Sequence, residues 1–272
     1  MTPPSASFID RARAFHRKDV EWNDRLFGLT PLHPSFWVLR RLRGAIRQSI
    51  PHFRGRLLDA GCGMSPYRAM LEPHVAQYVG LEWHPESGYR GNNADLYGHV
   101  SRVPLGTGTM DAVLCTEVLE HVPDPDHVLG ELGRVLRPGG TLILTAPFVF
   151  PIHEERDYFR YTAQGFRALL DRQGFERVEV VPLGRAPTTL AVLTGLYLLD
   201  GCFLWNRWLY AFSIPLRPLL LAMIAVINVA AGIAERLLPG YNLPCNHLVI
   251  ARRAAAETAA RPRIAEPALS VR

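Results

Sequence analysis

The stretch Arg56-Leu57-Leu58-Asp59-Ala60-Gly61-Cys62-Gly63 decides the fold of this chain. A short apolar run, an acid and two glycines spaced by one residue read as a buried parallel strand entering a tight turn without Cβ atoms. In such a turn the backbone can approach a ligand closely. The third glycine of the dinucleotide fingerprint is missing, because Pro66 stands in its place. Proline suits a first helical turn but departs from the pyrophosphate-binding pattern. The phosphate loop of kinases and ATPases needs a lysine, and Lys18, far upstream, is the only lysine of the chain. The loop is therefore expected to serve a ligand without a pyrophosphate, and Schiff-base chemistry is excluded from the core.

Three further segments follow in order. Gln77-Tyr78-Val79-Gly80-Leu81-Glu82-Trp83 reads as the next strand, with an acid at its carboxyl end. That acid comes about twenty residues after the glycines, a spacing that suits a grip on two ribose hydroxyls. Met110-Asp111-Ala112-Val113-Leu114-Cys115-Thr116-Glu117-Val118-Leu119-Glu120-His121-Val122 holds another strand. In Val135-Leu136-Arg137-Pro138-Gly139-Gly140-Thr141-Leu142-Ile143-Leu144-Thr145-Ala146-Pro147 a helix is expected to stop at Pro-Gly-Gly, before an apolar strand.

In this order and spacing the four segments resemble the class I S-adenosylmethionine-dependent methyltransferases, with a type 11-like domain. The resemblance covers about residues 55–182 and a final strand near 247–253. It implies a Rossmann-like α/β fold: a mainly parallel seven-stranded sheet with helices on both faces. It also implies S-adenosylmethionine as cofactor. Asp59, Gly61, Cys62 and Gly63 would surround its methionine part and Glu82 would hold the ribose. Asp95 and Leu96 would sit at the adenine edge, and Thr116 and Glu117 would line the sulfonium side. Cys62 reads as a small packing residue of the loop rather than a nucleophile.

Residues 1–54 are expected to form a helical extension, with one helix over 5–27 and another over 33–50. In the second, Phe36, Leu39, Leu42 and Ile46 recur at helical spacing, with Arg40, Arg41, Arg43 and Arg47 placed largely opposite. This pattern suits a helix covering the sheet or a basic helix on a membrane surface. The methyltransferase domain is read as 55–253, and 254–272 as a flexible tail. Its αβ alternation predicts a short helix from Pro66, strands at 77–83 and 110–116, a helix over 124–136 and a strand over 140–146. A helix over 162–173 and strands at 175–182 and 246–253 complete it, with an irregular stretch up to 108.

Between the last two strands lies an apolar insertion, 186–240. Ala186–Leu199, Trp208–Leu216 and Pro218–Ala234 carry no charge, and Asp200 and Arg217 separate them. Tyr197, Trp205, Trp208 and Tyr210 cluster near its centre. A spanning helix needs about twenty apolar residues, and Pro215, Arg217 and Pro218 interrupt the longest run. A helical hairpin dipping into one leaflet fits this pattern, with tryptophans and arginines near the headgroups. A buried subdomain or a homodimer interface is the other reading. A parallel strand at 175–182 would bring the insertion out on the ligand-binding edge of the sheet.

Methyl transfer from a sulfonium is an in-line displacement that chiefly needs alignment and exclusion of water. A base is required only when the acceptor must lose a proton. His153-Glu154-Glu155-Arg156-Asp157-Tyr158-Phe159-Arg160-Tyr161-Thr162 resembles a segment of a bacterial subgroup of these enzymes often associated with glycan or lipid modification. His153 is the expected base, with Glu154 or Asp157 orienting it, and His121 is expected in the pocket wall. Asp124-Pro125-Asp126-His127 reads as a helix cap with proline at the first position rather than a metal cluster. No metal site is expected.

The net charge is +5 over 272 residues, and it lies in the flanks. Residues 1–55 hold ten Arg or Lys against four acids, and the chain after Ile250 holds five Arg against two Glu. Basic flanks without a basic, aromatic-rich site argue against a nucleic-acid partner and suit an anionic membrane surface. Cys62, Cys115, Cys202 and Cys245 lack metal or disulfide spacing, and the amino terminus lacks an apolar signal core. A reduced, cytoplasmic protein is expected, peripheral to the cytoplasmic face of the membrane. The expected function is methylation of a hydrophobic, lipid-linked or glycan small molecule. The alternatives are a soluble small-metabolite methyltransferase whose insertion forms a dimer, and an inactive cofactor-binding membrane scaffold.

Overall fold

The computed structural model describes residues 28–83, 94–201, 207–238 and 242–255. The helix expected over 5–27, the tail from 256 and Trp205 lie outside these residues, as do the side chains of Trp208 and Tyr210. Seven strands form one sheet: β1 (Arg56–Ala60), β2 (Gln77–Glu82), β3 (Leu96–Tyr97), β4 (Met110–Thr116), β5 (Leu136–Pro147), β6 (Phe175–Leu183) and β7 (Asn246–Arg253). Their order across the sheet is β3-β2-β1-β4-β5-β7-β6. Pairing of β1 with β2 and β4, and of β2 with β3, is parallel, with Asp59 opposite both Gly80 and Leu114. The order reverses direction beside β1, and at such a switch point an open parallel sheet leaves a crevice at its strand ends.

The chain divides into two compact units. One comprises 49–144, 162–180 and the chain from 249, and holds β1 to β4 with most of β5, β6 and β7. Leu57, Leu58, Leu114 and Ile143 are fully buried there. Each such side chain contributes about 2 kcal/mol of transfer free energy. Helix α2 (Arg68–Leu71) is a single turn that begins two residues after Pro66, and a 3₁₀ turn continues it. Helix α3 (Pro125–Val135) starts as expected: Asp124 accepts the His127 amide at 3.0 Å and Pro125 occupies the first turn. Asp126 is held by Arg172 and Gln173, so it ties α3 to the end of α4 (Ala163–Arg172). Thr162 caps α4 through the Gly165 amide at 3.0 Å.

Two expectations are corrected in this unit. Strand β5 begins at Leu136, so Pro138-Gly139-Gly140 lies inside it. The helix has already ended at Val135, and Gly139 takes left-handed backbone with a φ of +76° inside the strand. Strand β3 falls in the stretch read as irregular. It is two residues long, too short for an alternation of side chains to reveal.

The other unit comprises the chain to 48, 145–161 and 181–248. Thus the two segments that stand out from the family pattern, the amino-terminal extension and the insertion, pack together. Helix α1 (Phe36–Gln48) buries Phe36, Leu42 and Ile46, as their spacing predicts, and leaves Arg40, Arg43 and Arg47 exposed. The insertion forms α5 (Ala186–Leu196), a π turn over Tyr197–Gly201 and α6 (Arg207–Leu237). Helix α6 runs unbroken through Pro215 and Pro218, although these prolines interrupt the apolar run of the sequence. Each proline removes one ladder hydrogen bond, while the helix as a whole packs along α5.

Polar contacts fix α6. Asn228 is fully buried, and its Nδ2 donates to the carbonyls of Pro31 at 2.8 Å and His33 at 3.1 Å. Trp37 Nε1 donates to the Asn228 carbonyl at 3.1 Å. Glu235 pairs with Arg41 and accepts from the Thr188 hydroxyl.

Candidate functional site

The loop that follows β1 is held from both sides. Gly61 and Cys62 donate their amides to the Leu81 carbonyl at 2.8 and 3.0 Å, which fastens the loop to β2. Gly61 has a φ of +74°, and a Cβ there would stand 2.5 Å from Val118 Cγ2. Gly63 has a φ of +51° with nothing within 4 Å of its Cβ position, so the second glycine opens onto empty space. Left-handed backbone at both positions explains the residue choice. The Gly63 amide donates to Glu82 Oε2 at 2.8 Å, while Glu82 Oε1 takes the Trp83 amide at 3.0 Å. Each oxygen keeps a lone pair for a further donor.

Asp59 is 1% exposed and accepts a hydrogen bond from the Tyr78 hydroxyl on Oδ2. Its Oδ1 is buried with no hydrogen-bond partner among the described residues. Burial pushes its carboxyl up to about 7; the Tyr78 hydrogen bond opposes that shift, and Glu82 reinforces it. A buried carboxylate with one unsatisfied oxygen suits a ligand that brings positive charge or donors. S-adenosylmethionine brings an ammonium, a sulfonium and two ribose hydroxyls. The residues present therefore fit it: Asp59 and the Gly61–Gly63 loop for the methionine part, Glu82 for the ribose.

The remaining expected residues take distinct places in the same unit. Leu96 sits opposite Leu81 in the β2–β3 ladder. Asp95 is occupied by the protein itself: Arg68 donates to both its oxygens at 3.1 Å, and the Gly80 amide reaches Oδ2 at 2.8 Å. Arg68 also lies over the Tyr78 ring, 4.9 Å from its centroid. Thr116 ends β4, and Glu117 after it has a φ of +52°, a strained conformation for a residue with a side chain. The Cys62 thiol is pushed up to about 11, chiefly by burial, so it stays protonated and acts as packing. Sequence reading missed Tyr78, Arg68 and the fully buried Glu120, whose Oε1 lies 3.6 Å from His121 Nε2. The roles of Tyr78 and Arg68 rest on contacts between distant positions, and Glu120, in the 3₁₀ turn after β4, shows in the sequence only as an acid among apolar residues.

His153, Glu154 and Asp157 belong to the other unit. Asp157 is the partner of His153: its Oδ2 lies 3.1 Å from Nδ1 and also takes the His153 amide at 3.2 Å. Arg160 grips the same carboxylate and holds it down at about 2, with the His153 amide adding to the effect. Arg160 further donates to the Pro151 carbonyl at 3.0 Å, closing the segment into a small hydrogen-bonded loop. Phe150 meets the His153 ring edge to face, at 5.5 Å. The imidazole is thereby oriented with a carboxylate on Nδ1. Glu154 is exposed.

Residues 58–144 match the family described as a methyltransferase domain. An uncharacterized methyltransferase of Mycobacterium sp. (strain KMS) is 35% identical over 94 residues, covering 33% of this chain and 37% of that protein. A ubiquinone biosynthesis O-methyltransferase of Xanthomonas oryzae pv. oryzae (strain PXO99A) is 35% identical over 103 residues, covering 33% of this chain and 42% of the relative. The chain thus spans less than half the length of these relatives. In fold it resembles phosphoethanolamine N-methyltransferase 2 of Haemonchus contortus, solved with phosphomonomethylethanolamine and S-adenosylhomocysteine. That likeness has a TM-score of 0.54 at 17% identity, over 93% of this chain and 61% of the other. Loop geometry, sheet order and the match over residues 58–144 agree on a Rossmann-like methyltransferase domain, whose loop residues fit S-adenosylmethionine.

Proposed function

We propose that this chain is a methyltransferase that works at the cytoplasmic face of a membrane and methylates a hydrophobic, lipid-linked or glycan small molecule. The observation that carries this reading is the outer face of α6. Leu216, Leu219, Met223, Val226, Val229, Ile233 and Leu237 recur at helical spacing and are all exposed, Val226 to 69% and Leu237 to 74%. The inner face of the same helix holds Asn228 and Glu235. The segment Pro215–Leu237 has a mean hydropathy of 2.0 and is only 17% buried. A helix that turns so continuous an apolar face to solvent suits an apolar environment. Relatives that act in ubiquinone biosynthesis support an apolar acceptor and transfer to oxygen.

Bound S-adenosylmethionine supplies a methyl group activated by the sulfonium. Asp59, the glycine loop and Glu82 hold that cofactor in one orientation, and Glu117 shapes the wall beyond β4. His153 takes the acceptor's proton at Nε2, while Asp157 keeps Nδ1 protonated and steadies the imidazolium that forms. Arg160 keeps Asp157 ionised throughout.

The test is incubation with methyl-labelled cofactor and a fractionated lipid and glycolipid extract, followed by identification of the product. Label in a lipid-soluble or lipid-linked glycan fraction supports the proposal. Label found only in water-soluble metabolites, with a clean dimer on sizing chromatography without detergent, means that a second copy covers α6.

A further inference from the structure

Beyond the cofactor loop, the unit formed by α1, α5 and α6 contains an open cleft of about 1000 Å³. Among its lining residues Arg40, Arg41, Arg185 and Arg236 face a single acid, Glu235. That acid is already engaged by Arg41 and by the Thr188 hydroxyl. Arg41 Nε is buried with no hydrogen-bond partner among the described residues. Arg185 stands at the start of α5, whose first turn takes no side-chain cap, so the positive end of that helix adds to the field. Four guanidinium groups in one cleft, from the middle of α1, the start of α5 and the end of α6, with one donor unsatisfied, form a receptor for a phosphate or similar anion.

Position names the source of the phosphate. Gly232, Glu235 and Arg236 of α6 line the cleft, and Ile233 and Leu237 on the same two turns belong to its exposed apolar stripe. The stripe from Leu216 to Leu237 is about 32 Å long at 1.5 Å per residue. It ends beside the arginines. A long apolar face that finishes at a cationic cleft is complementary to one amphiphile, with acyl chains along the stripe and an anionic headgroup at its end.

We propose that the arginine cleft at the carboxyl end of α6 binds the phosphate headgroup of an anionic membrane phospholipid and sets how the apolar face of α6 meets the bilayer. This rests on the membrane-surface reading above and adds a lipid class and a site to it.

The full chain is floated with vesicles of phosphatidylcholine alone and of phosphatidylcholine mixed with phosphatidylglycerol. The wild type should favour the anionic vesicles. Arg40→Gln with Arg236→Gln removes two cleft charges and should lower that partition by about 25-fold, since each basic residue near an anionic surface is worth roughly fivefold. Arg43→Gln with Arg47→Gln removes two exposed charges of α1 that do not line the cleft, and should cost less than about fivefold. Thermal unfolding checks that each variant is folded, and Arg185→Gln serves as a single-site substitute if the cleft pair is not.

Equal losses for the two pairs would overturn the cleft in favour of diffuse charge. Release of the wild type by millimolar inorganic phosphate, without regard to vesicle charge, would overturn the lipid source. Equal flotation with neutral and anionic vesicles sinks the cleft and leaves the membrane reading standing. Absence of flotation with either sinks both.

Discussion

Replacing Asp59 by asparagine should make the cofactor-free protein more stable at alkaline pH while abolishing cofactor binding. The Asp59 carboxyl is raised from 3.8 to about 7, chiefly by burial, so between those values the folded state holds a proton that the unfolded state has lost. Stability therefore falls as pH rises through this window and levels off above it. Between pH 5 and pH 8 about two pH units lie inside the window, and at about 1.4 kcal/mol per unit Asp59 costs about 3 kcal/mol over that range. Asparagine can still accept from the Tyr78 hydroxyl, so the substitution removes the titration and keeps the contact. Urea unfolding of both proteins at pH 5 and pH 8, without cofactor, isolates the effect as a double difference. The variant should gain about 3 kcal/mol relative to wild type on going from pH 5 to pH 8. Isothermal titration should find its cofactor binding lost. A wild type minus variant difference that does not change with pH would refute the account of Asp59 as a strained, buried acid.

Gly61→Ala should cost about 1–3 kcal/mol and weaken cofactor binding, because it forces a Cβ into left-handed backbone 2.5 Å from Val118 Cγ2. Adding Val118→Ala should recover only the steric part, as read by chemical unfolding. His153→Ala should lower turnover by about 10²–10⁴-fold if the acceptor must lose a proton, with cofactor affinity unchanged by titration calorimetry. Asp157→Asn removes a carboxyl held down at about 2 by Arg160. It should cost about 1 kcal/mol at neutral pH, a difference that fades as pH falls from about 4 toward 2. Asn228→Leu strips the donor from the buried carbonyls of Pro31 and His33, and should destabilise by about 2–4 kcal/mol in thermal melts.

What the sequence disclosed follows from where information sits along the chain. The run Arg56–Gly63, the acid at Glu82 and the strand from Met110 are local patterns, and a local pattern survives into structure wherever burial on both faces permits one arrangement. Strands β4 and β7 accordingly lie at Met110–Thr116 and Asn246–Arg253, as read. Asp124 and Thr162 likewise act as caps through partners three residues away. Glu82 was legible as a carboxylate at a strand end, but its grip on the Gly63 amide was not. Nor was the occupation of Asp95 by Arg68, because that pair joins positions 27 residues apart. That α6 continues as helix across its prolines was hidden for a different reason. Propensity counts their local cost, whereas packing along α5 offsets it. That Asp157 rather than Glu154 orients His153 depended on how the segment closes on itself through Arg160.

The hydrogen bonds that fix α6 carry a consequence for synthesis. Trp37 reaches Asn228 across 191 positions of the chain, and Arg41 reaches Glu235 across 194. At about 5–20 residues per second, a ribosome delivers the partner of α1 some 10–40 s after α1 itself. Throughout that interval Trp37 and Arg41 lack these partners, and the apolar stripe of α6 emerges only at its end. The last-made third of the chain thus completes the first. The order of events at the tunnel exit, rather than the strength of any one contact, should set how much newly made protein aggregates, and early contact with lipid would shorten the exposed period.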